Sequence, residues 1–158
     1  MDNDLKKRYL KLHPSKGLNT KQVQAFKNKL SITLPDDVKN ILDFYDGYYG
    51  LAYLSMYSFD QSGVGWNICD ETLRLRQSIN LPKNLIVLAE PDESIILMEI
   101  TNGSEVTSKV YWLGAGDAYN LAESKPLEDN PMIFKTFTDF FSYLLDEEEK
   151  RRADEKVK

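Results

Sequence analysis

The stretch from Leu34 to Gly50, LPDDVKNILDFYDGYYG, constrains what this chain can fold into more than any other. Pro35 stands where a first helical turn tolerates it, because its missing N–H would be unpaired there in any case. Asp36 and Asp37 follow and set negative charge against the positive end of the helix dipole. Val38, Ile41, Leu42 and Tyr45 recur at helical spacing and make one apolar stripe. Gly47 comes just past the last apolar position, where a left-handed residue commonly closes a helix. The segment predicts a short helix, marked at both ends, that delivers the chain into a Tyr-rich strand.

Around this helix the chain reads in order. Leu5, Tyr9 and Leu12 give a first helix, broken by Pro14 and Gly17. Asn19 or Thr20 caps a second helix with Val23, Phe26 and Leu30 on one face and lysines on the other. From Leu51 the period changes: LAYLSMYSF reads as a half-buried strand, Asp60, Ser62, Gly63 and Gly65 as a turn, and Trp66, Ile68 and Cys69 as a second strand paired with the first. DETLRLRQS predicts a short helix capped by Asp70, exposing Arg74 and Arg76. LIVLAE, SIILMEI and VTSKVYWLG are three further strands, the last two joined by an Asn-Gly hairpin signal. A brief extended piece is expected around Ala118–Leu121. Phe134, Phe137, Phe140, Phe141, Leu144 and Leu145 then mark a closing helix.

Helices, a run of strands with short turns, then a helix: this order predicts an α+β fold with a largely antiparallel sheet of about five or six strands and helices packed on one face. Residues 1–147 are expected to form a single domain, and the charged stretch 148–158 a fraying tail.

Composition narrows the function classes. The 158 residues hold 25 acidic against 20 basic side chains, a net charge of −5, which argues against a nucleic-acid binder and permits an acidic face for a basic protein. No run approaches the ~18–20 apolar residues of a membrane span, and the first residues show no signal-peptide core. A cytoplasmic protein without membrane partners is expected. One cysteine, Cys69, leaves no internal disulfide and no multi-cysteine zinc site. The sole histidine, His13, is far from it in sequence, so Cys69 reads as a bystander thiol.

Three features together resemble the SMI1/KNR4 family of the SUKH superfamily over roughly residues 20–147. They are the LPDDVKNILDFYDGYYG segment, the paired strands LIVLAEPDESIILMEI and SKVYWLG with an acidic turn between the first two, and the closing FKTFTDFFSYLL helix. The chain departs from the family's glycine-rich turn at Glu90-Pro91-Asp92-Glu93. The resemblance implies the family's fold and a binding module without catalysis or cofactor. Bacterial members look like immunity proteins that each bind and block a cognate toxin, often a nuclease. Fungal relatives look like cell-wall and signalling scaffolds.

The candidate partner-binding residues follow from charge and aromatic content. Asp36, Asp43 and Asp46, separated by seven and three positions, can share an exposed face, although helix-dipole complement and solubility are the favoured account of them. Tyr48, Tyr49, Tyr53, Tyr57 and Trp66 are the candidate aromatic anchors, although core packing is the favoured role for any single one of them. Strand alternation places Tyr53, Ser55, Tyr57 and Phe59 on one face, with Leu54, Met56 and Ser58 on the other. Glu90, Asp92 and Glu93 crowd one turn, but their spacing fits no calcium loop, and neither a metal site nor catalysis is expected there. Gly114-Ala115-Gly116-Asp117 reads as a turn rather than a dinucleotide fingerprint. The expected partner is a cognate toxin. The alternatives are a host protein bound by a regulatory scaffold of the same fold, and an enzyme using the Glu90–Glu93 carboxylates, which requires a concave pocket with converging acids.

Overall fold

Local capping decides where the first helices begin and end. The structure, a computed structural model, describes residues 3–14, 16–47, 51–52, 54–62, 66–101 and 106–157. Helices α1 (Asn3–Leu12), α2 (Thr20–Leu30) and α3 (Asp36–Leu42) come first. Asn19 is the cap of α2: its Oδ1 accepts from the Gln22 N–H at 2.8 Å, and Gln22 Oε1 accepts from the Asn19 N–H at 2.9 Å. The stripe predicted for α3 is real, with Val38, Ile41, Leu42 and Tyr45 all buried.

Helix α3 stops at Leu42, several residues short of Gly47, because other chain packs on its end. The Leu18 N–H donates to Leu42 O at 2.7 Å, and a Cβ on Gly17 would lie 2.4 Å from Asp43 O. Gly47 is nevertheless left-handed (φ +84°), and a Cβ there would meet Tyr57 O at 2.4 Å. Its glycine serves the close approach of the 54–59 segment rather than the helix end.

Helix α4 (Ile68–Ile79) leads into strands β1 (Leu85–Ala89), β2 (Ser94–Thr101) and β3 (Thr107–Gly114). Helix α5 (Asp117–Ala122), strand β4 (Met132–Phe134) and helix α6 (Phe137–Val157) follow. Among the described residues the fold is α+β, with a four-stranded antiparallel sheet in the order β1-β2-β3-β4. In the β2–β3 hairpin Ser94 stands opposite Gly114 and Thr101 opposite Thr107, whose hydroxyls are 2.5 Å apart. The Asn-Gly turn itself lies outside the described residues.

The sheet buries both faces, as the near-continuous apolar run of β1 requires. Ile86, Leu88, Ile96, Met98, Ile100 and Val110 join the larger core with α1, α2, α3 and α6. Leu85, Val87, Ile95, Leu97, Tyr111 and Leu113 turn the other way, against Leu75 and Ile79 of α4 and Ala118 of α5. The larger helical layer thus lies on one face as expected, and a smaller one covers the second. Within the larger core, Tyr9, Tyr45 and Phe141 meet pairwise with ring centroids 5.1–5.6 Å apart, joining α1, the end of α3 and α6. Such aromatic contacts contribute about 0.5–1.5 kcal/mol each beyond their burial.

The start of α6 is held by α3 across the core. Asp37 Oδ2 accepts from the Thr138 N–H at 3.2 Å and from Ser108 Oγ at 2.8 Å, while Ser108 Oγ accepts from the Phe137 N–H at 2.9 Å. Thr136 Oγ1 accepts from the Asp139 N–H at 3.1 Å. Three of the orphan donors of this helix start are therefore satisfied by side chains.

Several sequence expectations are corrected, beginning with the five or six strands, which are four among the described residues. LAYLSMYSF forms no strand: among the described residues it makes isolated bridges only, Leu51 with Leu54 and Ser58 with Asn67. Its alternation survives to Ser58, with Leu54 and Met56 buried and Ser55 exposed, and breaks at the fully buried Phe59. Ile68 and Cys69 open α4 instead of a second strand, because Asn67 rather than Asp70 is its cap, accepting from the Asp70 N–H at 2.8 Å. The piece around Ala118 is helical and opens directly from Gly116, with Asp117 Oδ1 and Oδ2 accepting from the N–H groups of Glu128 and Asp129. β4 was not anticipated. The charged stretch from 148 continues α6 as far as Val157. Glu148 there is only 2% exposed and holds Arg151 and Arg152, while Arg8 of α1 binds Asp146 and Glu149 of α6.

Candidate functional site

Trp66 is placed by the cap of α4. Asn67 must leave the helix in an extended conformation to reach the Asp70 N–H, which puts Trp66 outside the helix. The Ser58 N–H donates to Trp66 O at 3.2 Å and the Ile68 N–H to Ser58 O at 2.8 Å, so Trp66 lies beside Tyr57. The Tyr57 N–H in turn donates to Leu88 O of β1 at 2.9 Å. Backbone bonds on both sides thus fix the two aromatic side chains. Their rings stack with centroids 6.4 Å apart and planes 17° from parallel.

This stack stands beside an ion-pair chain. Tyr57 Oη donates to Glu90 Oε1 at 3.1 Å, and Arg74 Nη2 donates to the same oxygen at 2.8 Å. Arg74 Nε donates to Glu71 Oε2 at 2.8 Å. Burial, then the Glu90 charge and its hydrogen bond, push the Tyr57 hydroxyl well above its ordinary pKa, so it stays a donor at neutral pH. Trp66 is 67% exposed, the most exposed aromatic side chain among the described residues. An indole this open, backed by a tyrosine and edged by carboxylates, offers apolar contact area at low entropy cost for a partner surface.

The other sequence candidates distribute differently. Asp92 and Glu93 are exposed on the turn after Glu90, with Glu93 left-handed (φ 56°) and its carbonyl accepting from the Ala115 N–H at 3.1 Å. Asp36 and Asp43 are exposed, each near a lysine: Lys39 at 3.8 Å and Lys6 at 3.6 Å. Asp46 turns inward. Its Oδ1 is buried without a hydrogen-bond partner among the described residues, and burial, with a smaller effect of Asp60, raises its pKa. Tyr48, Tyr49 and Tyr53 lie outside the described residues.

Arg74 and Glu71 are the residues that sequence reasoning passed over as parts of a site. Their spacing of three on a helix marks them as a pair, but nothing local shows that Arg74 also reaches Glu90. Arg76 is not free as expected: its guanidinium donates to Leu30 O at 3.4 Å and to Lys83 O at 2.9 Å.

An enzyme using the Glu90–Glu93 carboxylates would need a pocket beside them. A depression of about 370 Å³ is lined by Lys16, Gly17, Leu18, Asn19, Gln22 and Asp43, and holds a single carboxylate. Glu90, Asp92 and Glu93 do not line it. Among the described residues no three His, Cys, Asp or Glu side chains are grouped to hold a metal ion. Nor is any described helix long and apolar enough to cross a membrane. The Cys69 thiol is buried and pushed up to about 12, by burial first and by the neighbouring Asp70 charge second.

No curated protein matches the sequence. Compared with known families, residues 17–146 match the SMI1 / KNR4 family (SUKH-1), close to the roughly 20–147 over which the LPDD segment, the acidic turn and the closing helix resemble it. On that match over most of its length, the chain belongs to the SMI1 / KNR4 family (SUKH-1).

Proposed function

We propose that this protein is a non-catalytic binding module, a bacterial immunity protein that works in the cytoplasm by covering a cognate toxin. The family supports protein–protein interaction of the immunity type in general terms. The observation that carries the reading to this chain is the exposed Trp66, stacked on Tyr57, whose hydroxyl binds Glu90, on an acidic protein of net charge −5. A nuclease toxin must present a basic groove to its substrate, and an acidic face complements such a groove.

The mechanism is occlusion. Charge speeds the encounter, and the central aromatic, once desolvated, slows release. A standard interface covers about 800 Å² on each partner, a small part of the 9101 Å² surface of this chain. Asp92 and Glu93, on the turn after Glu90, then belong to the polar rim, where single charges change the association rate more than the affinity, and Asp36 and Asp43 add to the charge that steers the encounter. Tyr48, Tyr49 and Tyr53 are proposed as further contacts from the same region of the chain.

The test is co-expression with the product of the neighbouring gene. Stable co-purification and rescue of growth support the reading. Absence of both removes the toxin and moves the proposal to a regulatory scaffold that binds a host protein.

A further inference from the structure

We propose that the surface around Trp66 is a receptor for an arginine side chain of a basic partner protein. The proposal rests on the binding-module reading above and names the group that is bound. Trp66 offers an indole that is 67% exposed while Tyr57 stacks against it at 6.4 Å. Next to this stack, Glu90 uses one oxygen for two bonds: Oε1 accepts from both Tyr57 Oη and Arg74 Nη2. Its other oxygen, Oε2, has no hydrogen-bond partner among the described residues, and the side chain remains 31% exposed. An exposed indole, and a carboxylate held at the hydroxyl end of the tyrosine that stacks on it, are the pair of features a guanidinium uses, stacking flat while its N–H groups donate sideways.

The local charge favours the same occupant. Asp70, Glu71, Glu90, Asp92 and Glu93 occur on the two segments that meet here, against two cations, Arg74 and Arg76, of which Arg76 donates to Leu30 O and Lys83 O instead of to these carboxylates. Arg74 is itself held by Glu71 and Glu90, so its charge is already matched. Tyr57 and Arg74 are positioning residues: they hold the Glu90 carboxylate in place, and their bonds leave Oε2 for the ligand. A lysine ammonium meets the carboxylate equally well but lacks the planar group that covers an indole, so the geometry selects arginine.

The experiment uses the full chain, labelled with ¹⁵N, titrated with a blocked Gly-Arg-Gly-Arg-Gly peptide. The lysine and citrulline versions are run in parallel. The indole N–H resonance of Trp66 is assigned by its loss in Trp66→Phe. The arginine peptide is expected to shift that resonance, and the two control peptides to bind roughly two- to fivefold more weakly. Glu90→Gln and Tyr57→Phe should both weaken the arginine peptide and narrow its advantage over lysine, with the fold checked by circular dichroism. Equal binding of the lysine peptide, shifts confined to residues away from Trp66, or no shift at all would overturn the proposal. So would concentration-dependent self-association abolished by Trp66→Ala, which assigns the surface to a second copy of the chain.

Co-purification with the neighbouring gene product separates this inference from the reading beneath it. Capture that depends on Trp66, together with failure of the arginine peptide, refutes arginine recognition and keeps the binding module. Loss of capture alongside arginine-selective shifts refutes the toxin partner and keeps the receptor.

Discussion

Asp37 is one residue of the organising helix that reaches across the core, and its removal is a quantitative test of the fold. Its carboxylate accepts from the Thr138 N–H at 3.2 Å, from Thr138 Oγ1 at 3.3 Å and from Ser108 Oγ at 2.8 Å. Ser108 is 1% exposed, so water has little access to its hydroxyl once Asp37 is gone. Bonds to a charged acceptor contribute about 1.5–3 kcal/mol, and a carboxylate at a helix start adds about 0.3–1 kcal/mol. Asp37→Ala is therefore expected to cost about 2–4 kcal/mol, allowing for relaxation of the exposed side. For a chain of this length that lowers Tm by roughly 5–15 °C. Asp37→Asn keeps an acceptor oxygen but loses the charge, and should fall near half the cost.

Urea unfolding at neutral pH measures both variants. A cycle with Ser108→Ala adds the decisive control, because Ser108 Oγ passes the contact on to the Phe137 N–H at 2.9 Å. The two substitutions should be sub-additive, with a coupling of about 1 kcal/mol. If Asp37→Ala lies within about 0.5 kcal/mol of the parent, or the pair adds without coupling, α3 does not hold the start of α6.

Other perturbations test separate parts of the account. Gly47→Ala forces a Cβ to 2.4 Å from Tyr57 O at φ +84°, and should lower Tm by roughly 4–8 °C in a thermal melt, the effect of about 2 kcal/mol or more. Two carboxylates should give opposite pH dependence. Burial works against the Glu148 charge, but the hydrogen bond from Arg151, the charges of Arg151 and Arg152 and the Ala52 N–H outweigh it and lower its pKa. Its stabilisation is therefore present above the unfolded pKa and lost as pH falls through the lower folded value, and Glu148→Gln should remove part of the acid sensitivity. The Asp46 pKa is raised by burial, so its contribution is fully present below the unfolded pKa and declines as pH rises through the folded value. Asp46→Asn should flatten that decline in urea titrations between acid and neutral pH. The Cys69 thiol, pushed up to about 12 by burial, should react with a disulfide reagent at mildly alkaline pH far more slowly in native than in unfolded protein. Rapid native labelling would contradict its buried placement.

What the sequence made legible was what local chemistry decides. Pro35, Asp36 and the Val38–Tyr45 stripe announce α3, the β-rich runs announce β1 to β3, and the Phe-rich stripe announces α6. The failures lie where tertiary contacts override the local pattern. The 54–58 alternation is correct about faces, but only one described N–H of that segment, Tyr57, reaches β1, so no ladder forms. The Asn67 cap, with Asp70 and Glu71 in the turn after it, was a readable start signal for α4 that the apolar run Trp66–Cys69 obscured. The charged end of α6 has no apolar stripe to read, since Arg8 and the buried Glu148 hold it by ion pairs from distant or like-patterned positions.

The candidate site divides along the same line. Trp66 as a candidate anchor and an acidic turn were readable from residue types, whereas the exposure of Trp66 follows from its place just outside the Asn67 cap. The meeting of Tyr57, Arg74 and Glu90 at one oxygen depends on three separate segments, and no spacing rule reports it. Asp36, Asp43 and Asp46 were grouped by helical spacing, yet the helix ends at Leu42 and the last of them turns into the protein.

The central claim is that this chain acts by binding a protein through the Trp66 surface. The most direct test is calorimetric titration of the captured partner against the parent protein and against Trp66→Ala, each with its fold verified. The account predicts that the variant loses at least about 2 kcal/mol, a weakening of roughly 30-fold. A dissociation constant within about twofold of the parent, below 0.5 kcal/mol, would place the interface elsewhere and contradict the claim.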